Sequence, residues 1–406
     1  MKRLLMLGSA LLLAHLEAAA PALPRISEQG NQALSTFLKA AVARGDVPGV
    51  VALVVNHEET LYQGGFGKLN VAGNIDMPTD AIFRIASMTK PMTSVAVMML
   101  FEEGKLGLDD EVSKYLPAFK GRPVIARFND KDGTYETRPA SRAITIRHLL
   151  THTSGIGYGF TDPRLFILTN KTRLVETELP LLHDPGEKWS YGASTRVLGD
   201  VVAKISGQPI DVFLKARILD PLGLRDTSYD VPAAKVDRLA TSHQRTGGKL
   251  TEQPNPSTPP VTVRGDGGLY STARDYGVFL QMLLNEGRLG NTKILTPRSV
   301  RLMTQNQIGK VVVQRQPDAD TARTRPFPIG AGFDKFGLGF QIAVQTGPNL
   351  RSAGSYSWAG INNTHFWVDP NKQIGVVLLM QVLPFYDENA IGVLRGFEQA
   401  VYRHLN

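Results

Sequence analysis

Residues 82–91 read Ile82-Phe83-Arg84-Ile85-Ala86-Ser87-Met88-Thr89-Lys90-Pro91, and the rest of the chain is best understood outward from them. An apolar approach leads into a serine that opens a helix. Val95, Met98, Met99 and Glu102 follow at helical spacing, which predicts a helix over 87–103 with one buried side. Pro91 has no N–H and would forfeit the bond to the Ser87 carbonyl, a small loss in a first turn and a large one later, so the helix must start close to Ser87. Ser87 and Lys90, three apart, then share a face, and the amine can reach the hydroxyl. This is the one Ser-x-x-Lys of the chain. Two readings remain open from these residues: an N-capping serine beside a surface cation, or a nucleophile beside its base. In the second, a lysine with its ordinary pKa near 10.4 must be brought to about 7, roughly 4 kcal/mol of destabilisation of the charged form. Burial can supply it, and a second polar partner such as tyrosine or serine is expected.

With 406 residues, 42% of them hydrophobic and 20% charged, the chain can bury a large core in one or two compact units. It has no cysteine, which removes disulfides, thiol nucleophiles and cysteine zinc sites. Lys2 and Arg3 precede an apolar run over 4–13 and then small residues, the layout of a secretory signal ending near Ala20. That run is too short for a hydrocarbon layer of about 30 Å, so export to the periplasm or medium is expected and stable membrane insertion is not. The net charge of +8 is scattered, and acids interleave with the cations of 122–147, which speaks against nucleic acid as a partner. No Gly-x-Ser-x-Gly elbow occurs. His148 and His152 lie four apart but lack the acidic residue of His-Glu-x-x-His and a third ligand, so no metal is expected there. No phosphate or dinucleotide glycine motif occurs, and no cofactor is expected.

Periodicity places a helix at 31–44, with Leu34, Leu38 and Ala41 on one side, and a hairpin of 50–55 and 61–66 turning near 57–59. Helical spacing recurs at 145–151, 194–205, 210–219, 272–285 and 297–305, and Gly104, Gly207, Gly223 and Gly287 stand where helices should stop. Strands are expected at 338–344, 364–368 and 374–382, then a final helix at 389–404. Stretches 121–142, 251–260 and 309–332 read as loops. The expected fold is therefore α/β of the α+β type: an antiparallel sheet flanked by terminal helices, with a large, mostly helical insertion. Its sheet part would span about 25–85 and 330–406 and its helical part about 90–325, in a domain of 21–406 after a leader of 1–20.

A second motif follows the first by about a hundred residues: Pro185-Gly186-Glu187-Lys188-Trp189-Ser190-Tyr191-Gly192-Ala193-Ser194, a tight turn that delivers Tyr191 just before a helix. Together with 83–91 (FRIASMTKP), 149–155 (LLTHTSG), 265–272 (GDGGLYST) and 354–370 (GSYSWAGINNTHFWVDP), it stands in the order found in the serine β-lactamase-like superfamily. That group includes class C β-lactamases, D-alanyl-D-alanine carboxypeptidases and the family VIII carboxylesterases. The likeness covers about 30–400. It is nearest to the family VIII esterases, because Trp358-Ala359-Gly360 is similar to their Trp-Gly-Gly, where lactamases and peptidases carry Lys-Thr-Gly or His-Thr-Gly.

The resemblance implies a β-lactamase/transpeptidase-like fold. It makes Ser87 the nucleophile, Lys90 and Tyr191 its proton carriers, and the N–H groups of Ser87 and Ile361 an oxyanion hole on an edge strand. Trp358, Ala359 and Gly360 would bind substrate, Gly360 by letting it approach closely. Two departures bear on the substrate. Tyr191-Gly192-Ala193 lacks the asparagine of the family's Tyr-x-Asn, with Ser194 one position late, and Trp358 removes the cation that meets a penicillin or peptide carboxylate. A neutral, apolar acyl ester therefore fits better than an anionic substrate, and the expected partner is a small-molecule ester or amide. The reading is an exported carboxylesterase; a β-lactamase or D,D-peptidase is the first alternative, followed by an acyltransferase and a non-catalytic binding module. His152 is read as structural, Trp358 as either pocket wall or core, and Gly267 and Gly268 as a tight turn.

Overall fold

A computed structural model describes residues 23–406, so the leader expected at 1–20 lies outside the described residues. The chain opens with α1 (Glu28–Ala43), whose Leu34, Leu38 and Ala41 are buried and whose N-terminus is capped by the Ser27 hydroxyl accepting from the Gly30 N–H. Next come β1 (Gly49–Val55), β2 (Thr60–Asn70) and β3 (Ile75–Asp76). Near the end lie β4 (Lys335–Phe336), β5 (Gln341–Ile342), β6 (Tyr356–Gly360), β7 (Thr364–Asp369) and β8 (Ile374–Leu379). These eight strands form one antiparallel sheet in the order β4-β5-β6-β7-β8-β1-β2-β3.

The central strand β1 is buried at every position because both faces of the sheet are covered. Val50, Ala52 and Val54 face the rear core, built with α1 and the C-terminal helix α5 (Glu388–His404). Val51, Leu53 and Val55 face the front core, which includes α2 (Thr89–Glu102), α3 (Ser194–Ser206) and α4 (Ala273–Leu284). The whole is the expected α/β arrangement, an antiparallel sheet between terminal helices and a largely helical insertion.

Several local expectations are corrected. Residues 121–142 hold a hairpin, Pro123–Phe128 with Tyr135–Pro139, closed where the Gly133 N–H donates to the Asn129 carbonyl. Its second strand is exposed throughout and so shows no alternation. Ser242–Thr246 and Lys249–Gln253 form another hairpin, which takes the first residues of the expected loop 251–260. A helix, Pro163–Thr172, was not anticipated. The strand expected at 338–344 shrinks to Gln341–Ile342, and the one expected at 374–382 ends at Leu379, with Val382–Leu383 turning away to pair with Ser242–Thr246. Helix α2 starts at Thr89 after a tight turn, Ala86–Met88, and is buried on all sides from Thr89 to Leu100 rather than on one. The insertion encloses it.

Strand β6 is not the outermost strand, because β4 and β5 lie beyond it. Ile361 sits just past its end. Gly360 has a packing role that differs from the expected one: a Cβ there would come within 2.3 Å of both the Ile85 carbonyl oxygen and the Thr364 hydroxyl. Glycine thus lets the end of β6 dock against the segment that carries Ser87.

Candidate active site

The approach to Ser87 is held at several points. Phe83–Arg84 pairs with Tyr270–Ser271, and Ile85 N–H donates to the Leu269 carbonyl. Ala86, with no glycine freedom, has φ of 45°, and the chain turns sharply there into Ser87. A left-handed alanine costs energy and persists only where its surroundings dictate it. Here the Thr89 hydroxyl donates to the Ala86 carbonyl (2.7 Å) and the Tyr276 hydroxyl to the Met88 carbonyl (3.0 Å).

Lys90 lies beneath Ser87, 2% exposed. Its Nζ donates to Ser87 Oγ at 2.9 Å and to the Asp266 carbonyl at 2.8 Å. Burial lowers its pKa from 10.5 to about 7; Asp266 opposes this, and the cations Arg264 and Arg196 add to it. An amine with that pKa is half neutral near physiological pH and can accept a proton from the hydroxyl it touches.

Tyr191 arrives from the turn predicted for it. Ser190 N–H donates to the His152 carbonyl and Tyr191 N–H to Gln316 Oε1, while a Cβ on Gly192 would strike the Ile156 carbonyl. The ring is 4% exposed and its centroid lies 4.9 Å from Lys90 Nζ. Burial raises its pKa well above the ordinary phenol value, with the Ser87 and Trp358 side chains pulling the other way, so the hydroxyl is held protonated. Trp358 resolves to both expected roles: it lines the cavity, and its ring packs 5.0 Å from Tyr191 and 5.5 Å from Phe336.

A buried carboxylate escaped the sequence reading. Asp266, 4% exposed, accepts from the Tyr158 hydroxyl at 2.5 Å and lies 3.3 Å from Arg196 and 3.5 Å from Arg264. Burial pushes its pKa up, but Lys90, Arg196, Arg264 and the Tyr158 hydroxyl outweigh that and hold it below the usual value. The signal was an acid within Gly265-Asp266-Gly267-Gly268, a stretch read only for its turn, which Gly268 does make with φ of 107°. Its main-chain oxygen anchors Lys90, and its carboxylate balances the cations around it.

Ser87, Tyr191, Trp358, Ala359 and Ile361 line one cavity of about 490 Å³, with Lys90 under Ser87 and Gly360 turned toward Ile85. The loop 309–332 supplies part of its wall, including Phe327 and Ile329. Ser194 Oγ is 2.8 Å from Ser154 Oγ, a buried pair, so it does not stand in for the missing asparagine. His148 and His152 do not form a ligand pair: His148 Nδ1 accepts from the Thr145 N–H at its own helix start, and His152 is packed among Trp189, Tyr191 and Phe336. Among the described residues no group of three His, Asp or Glu side chains could hold a metal, and no helix is long and apolar enough to cross a membrane.

A β-lactamase-like sheet and insertion, with a serine and a buried lysine in contact at their junction, define a serine hydrolase. A family model described as Beta-lactamase matches residues 34–396, and the chain belongs to that family. It is 30% identical to esterase EstB of Burkholderia gladioli, over 82% of this chain and 85% of that protein. It is 28% identical to a lovastatin esterase of Penicillium rubens, over 91% and 98%. Its structure superposes on unliganded simvastatin synthase from Aspergillus terreus with a TM-score of 0.79 and 26% identity, covering 93% of this chain and 98% of that one.

Proposed function

We propose that this enzyme cleaves carboxylic esters through an acyl-enzyme on Ser87. The observation that carries the reading is the contact of Ser87 Oγ with the amine of a lysine that burial brings to about 7. Neutral Lys90 takes the Ser87 proton as the hydroxyl attacks the ester carbonyl. The oxygen that becomes negative is received by the N–H groups of Ser87 and Ile361, each such donor being worth about 10²–10³ in rate. Protonated Tyr191 and Lys90 return the proton to the departing alcohol, and water then attacks the acyl-enzyme with the same groups acting in reverse. Trp358, in place of a cation, favours a neutral ester over a β-lactam or peptide carboxylate. The test is a side-by-side rate comparison on p-nitrophenyl butyrate and nitrocefin: rapid ester turnover with little nitrocefin turnover is expected, and the reverse would move the enzyme to the β-lactamase side.

Acyl transfer to an alcohol is a second reading, favoured by the likeness to a monacolin J acid methylbutanoyltransferase of Aspergillus terreus as well as to esterases and by a cavity roomy enough for an acceptor. It shares the acyl-enzyme and differs in what attacks it. We also propose export, from the leader-like residues 1–20; a mature N-terminus near residue 21 or 23 in secreted protein is the expected finding.

Because only neutral Lys90 accepts the proton, kcat/KM should rise with pH through about 7, the value burial gives Lys90. Asp266→Asn removes a charge that holds the ammonium form in place, so the acid limb of that profile should move to lower pH, and Asp266→Glu should move it back. A profile unmoved by Asp266→Asn would separate Asp266 from the titration of Lys90. Tyr191→Phe should lower kcat by at least about 10², the usual scale of proton-transfer assistance; an unchanged kcat would remove Tyr191 from the mechanism.

A further inference from the structure

The cavity that begins at Ser87 continues past it. Strand β5 pairs with β6 only at Tyr356 and Ser357, so the outer edge of β6 from Trp358 to Gly360 has no strand beside it. Side chains alternate along β6 and β7: Trp358 and Phe366 belong to the front core and Ala359 packs against its margin, whereas His365, two residues from Trp367, points to the rear with it. The cavity is walled by both sets. Ser87, Tyr191 and Trp358 line it in front, and Ala343, His365 and Leu394 of α5 line it behind. It therefore crosses the unpaired edge of β6 and opens a rear chamber between the sheet and α5.

The chamber is built for an apolar guest. Ile329, Phe333 and Leu350 stand at its wall while remaining 41%, 58% and 37% exposed, large apolar side chains that the fold itself does not cover. Of its charged members, Arg351 and Glu398 neutralise one another through bonds of 2.8 and 2.9 Å, Asp334 is occupied by the Gln341 amide (2.6 Å) and the Val344 N–H (3.2 Å), and Arg395 stands at the α5 wall. His365 is 4% exposed, its Nε2 has no protein partner, and burial keeps the ring uncharged. The directions at the reacting carbon decide which arm enters. In the tetrahedral intermediate one bond goes to Ser87 Oγ, the oxyanion faces the Ser87 and Ile361 N–H groups, and the leaving oxygen must face Tyr191 and Lys90. The acyl substituent takes the direction left, away from Tyr191 and toward the open edge at Ala359.

We propose that the rear chamber is an acyl-chain site, and that the substrates are esters of medium- to long-chain apolar carboxylic acids whose chain passes the edge of β6 and lies against α5. This rests on the acyl-enzyme reading above. The test compares kcat/KM for p-nitrophenyl octanoate and p-nitrophenyl acetate in the wild type, in Ala343→Phe and in Gln399→Trp, two fillings of the chamber from opposite walls, with Ser87→Ala as control. Since one methylene in an apolar pocket changes discrimination by about 10-fold or more, octanoate should exceed acetate at least tenfold in the wild type, and that ratio should fall at least tenfold in a filled variant that still turns over acetate. Ser87-dependent acetate turnover with no preference for octanoate, or with a ratio unmoved by both fillings, overturns the chamber and leaves the esterase reading standing. No Ser87-dependent turnover of either ester overturns both.

Discussion

Ser87→Ala should abolish ester turnover, lowering kcat by at least about 10⁴-fold, because removing a nucleophile leaves only the binding and oxyanion contributions over water. The substitution deletes one oxygen at the end of a strained turn and leaves the backbone that Ala86 and Thr89 define untouched. Lys90 keeps its bond to the Asp266 carbonyl, so the variant should fold with a melting temperature close to that of the parent. Rates measured on purified protein should fall to the small residue that binding and the oxyanion donors leave over water. Persistent turnover in a pure, folded variant would place the nucleophile elsewhere.

The second large effect is at Lys90. Lys90→Met keeps the length and the apolar stem and removes the base, so ester turnover should fall by about 10³ to 10⁴. Fluorophosphonate labelling of Ser87 should slow in parallel, since the same proton must leave the hydroxyl before phosphorus is attacked. The variant removes a buried amine that touches Ser87 and the Asp266 carbonyl, and Asp266 retains Arg196, Arg264 and Tyr158 around its carboxylate. A folded Lys90→Met protein that labels as fast as the parent would show that Lys90 serves the structure and not the reaction.

The parts of the site legible in the sequence were those fixed by local spacing. Ser87 and Lys90 share a helical face because they are three apart, and Pro91 confines them to a first turn. Tyr191 entered through the family resemblance of the motif over 185–194, and the central strands through unbroken apolar runs such as 50–55. What escaped was set by tertiary context. Tyr135–Pro139 shows no alternation because neither face is covered, and β5 starts late because 337–340 turns, with Gly337 N–H donating to the Phe340 carbonyl and Gly339 N–H to that of Leu150. Gly360 looked like a concession to substrate, yet the atom it spares is the carbonyl of Ile85, distant in sequence. Asp266 resembled a turn residue, and only the fold brings Tyr158, Arg196 and Arg264 around it. The rear chamber depends on where one strand stops pairing with the next, which no single segment records.

The proposed mechanism requires an acyl group on Ser87 during turnover. Rapid quenching of the enzyme during turnover of p-nitrophenyl octanoate and p-nitrophenyl butyrate, followed by intact-mass measurement and peptide mapping, tests this directly. The predicted result is one acyl group per chain, on the peptide containing Ser87, forming with the burst of p-nitrophenol and absent from Ser87→Ala. An adduct on another residue, or Ser87-independent turnover without any adduct, would contradict it.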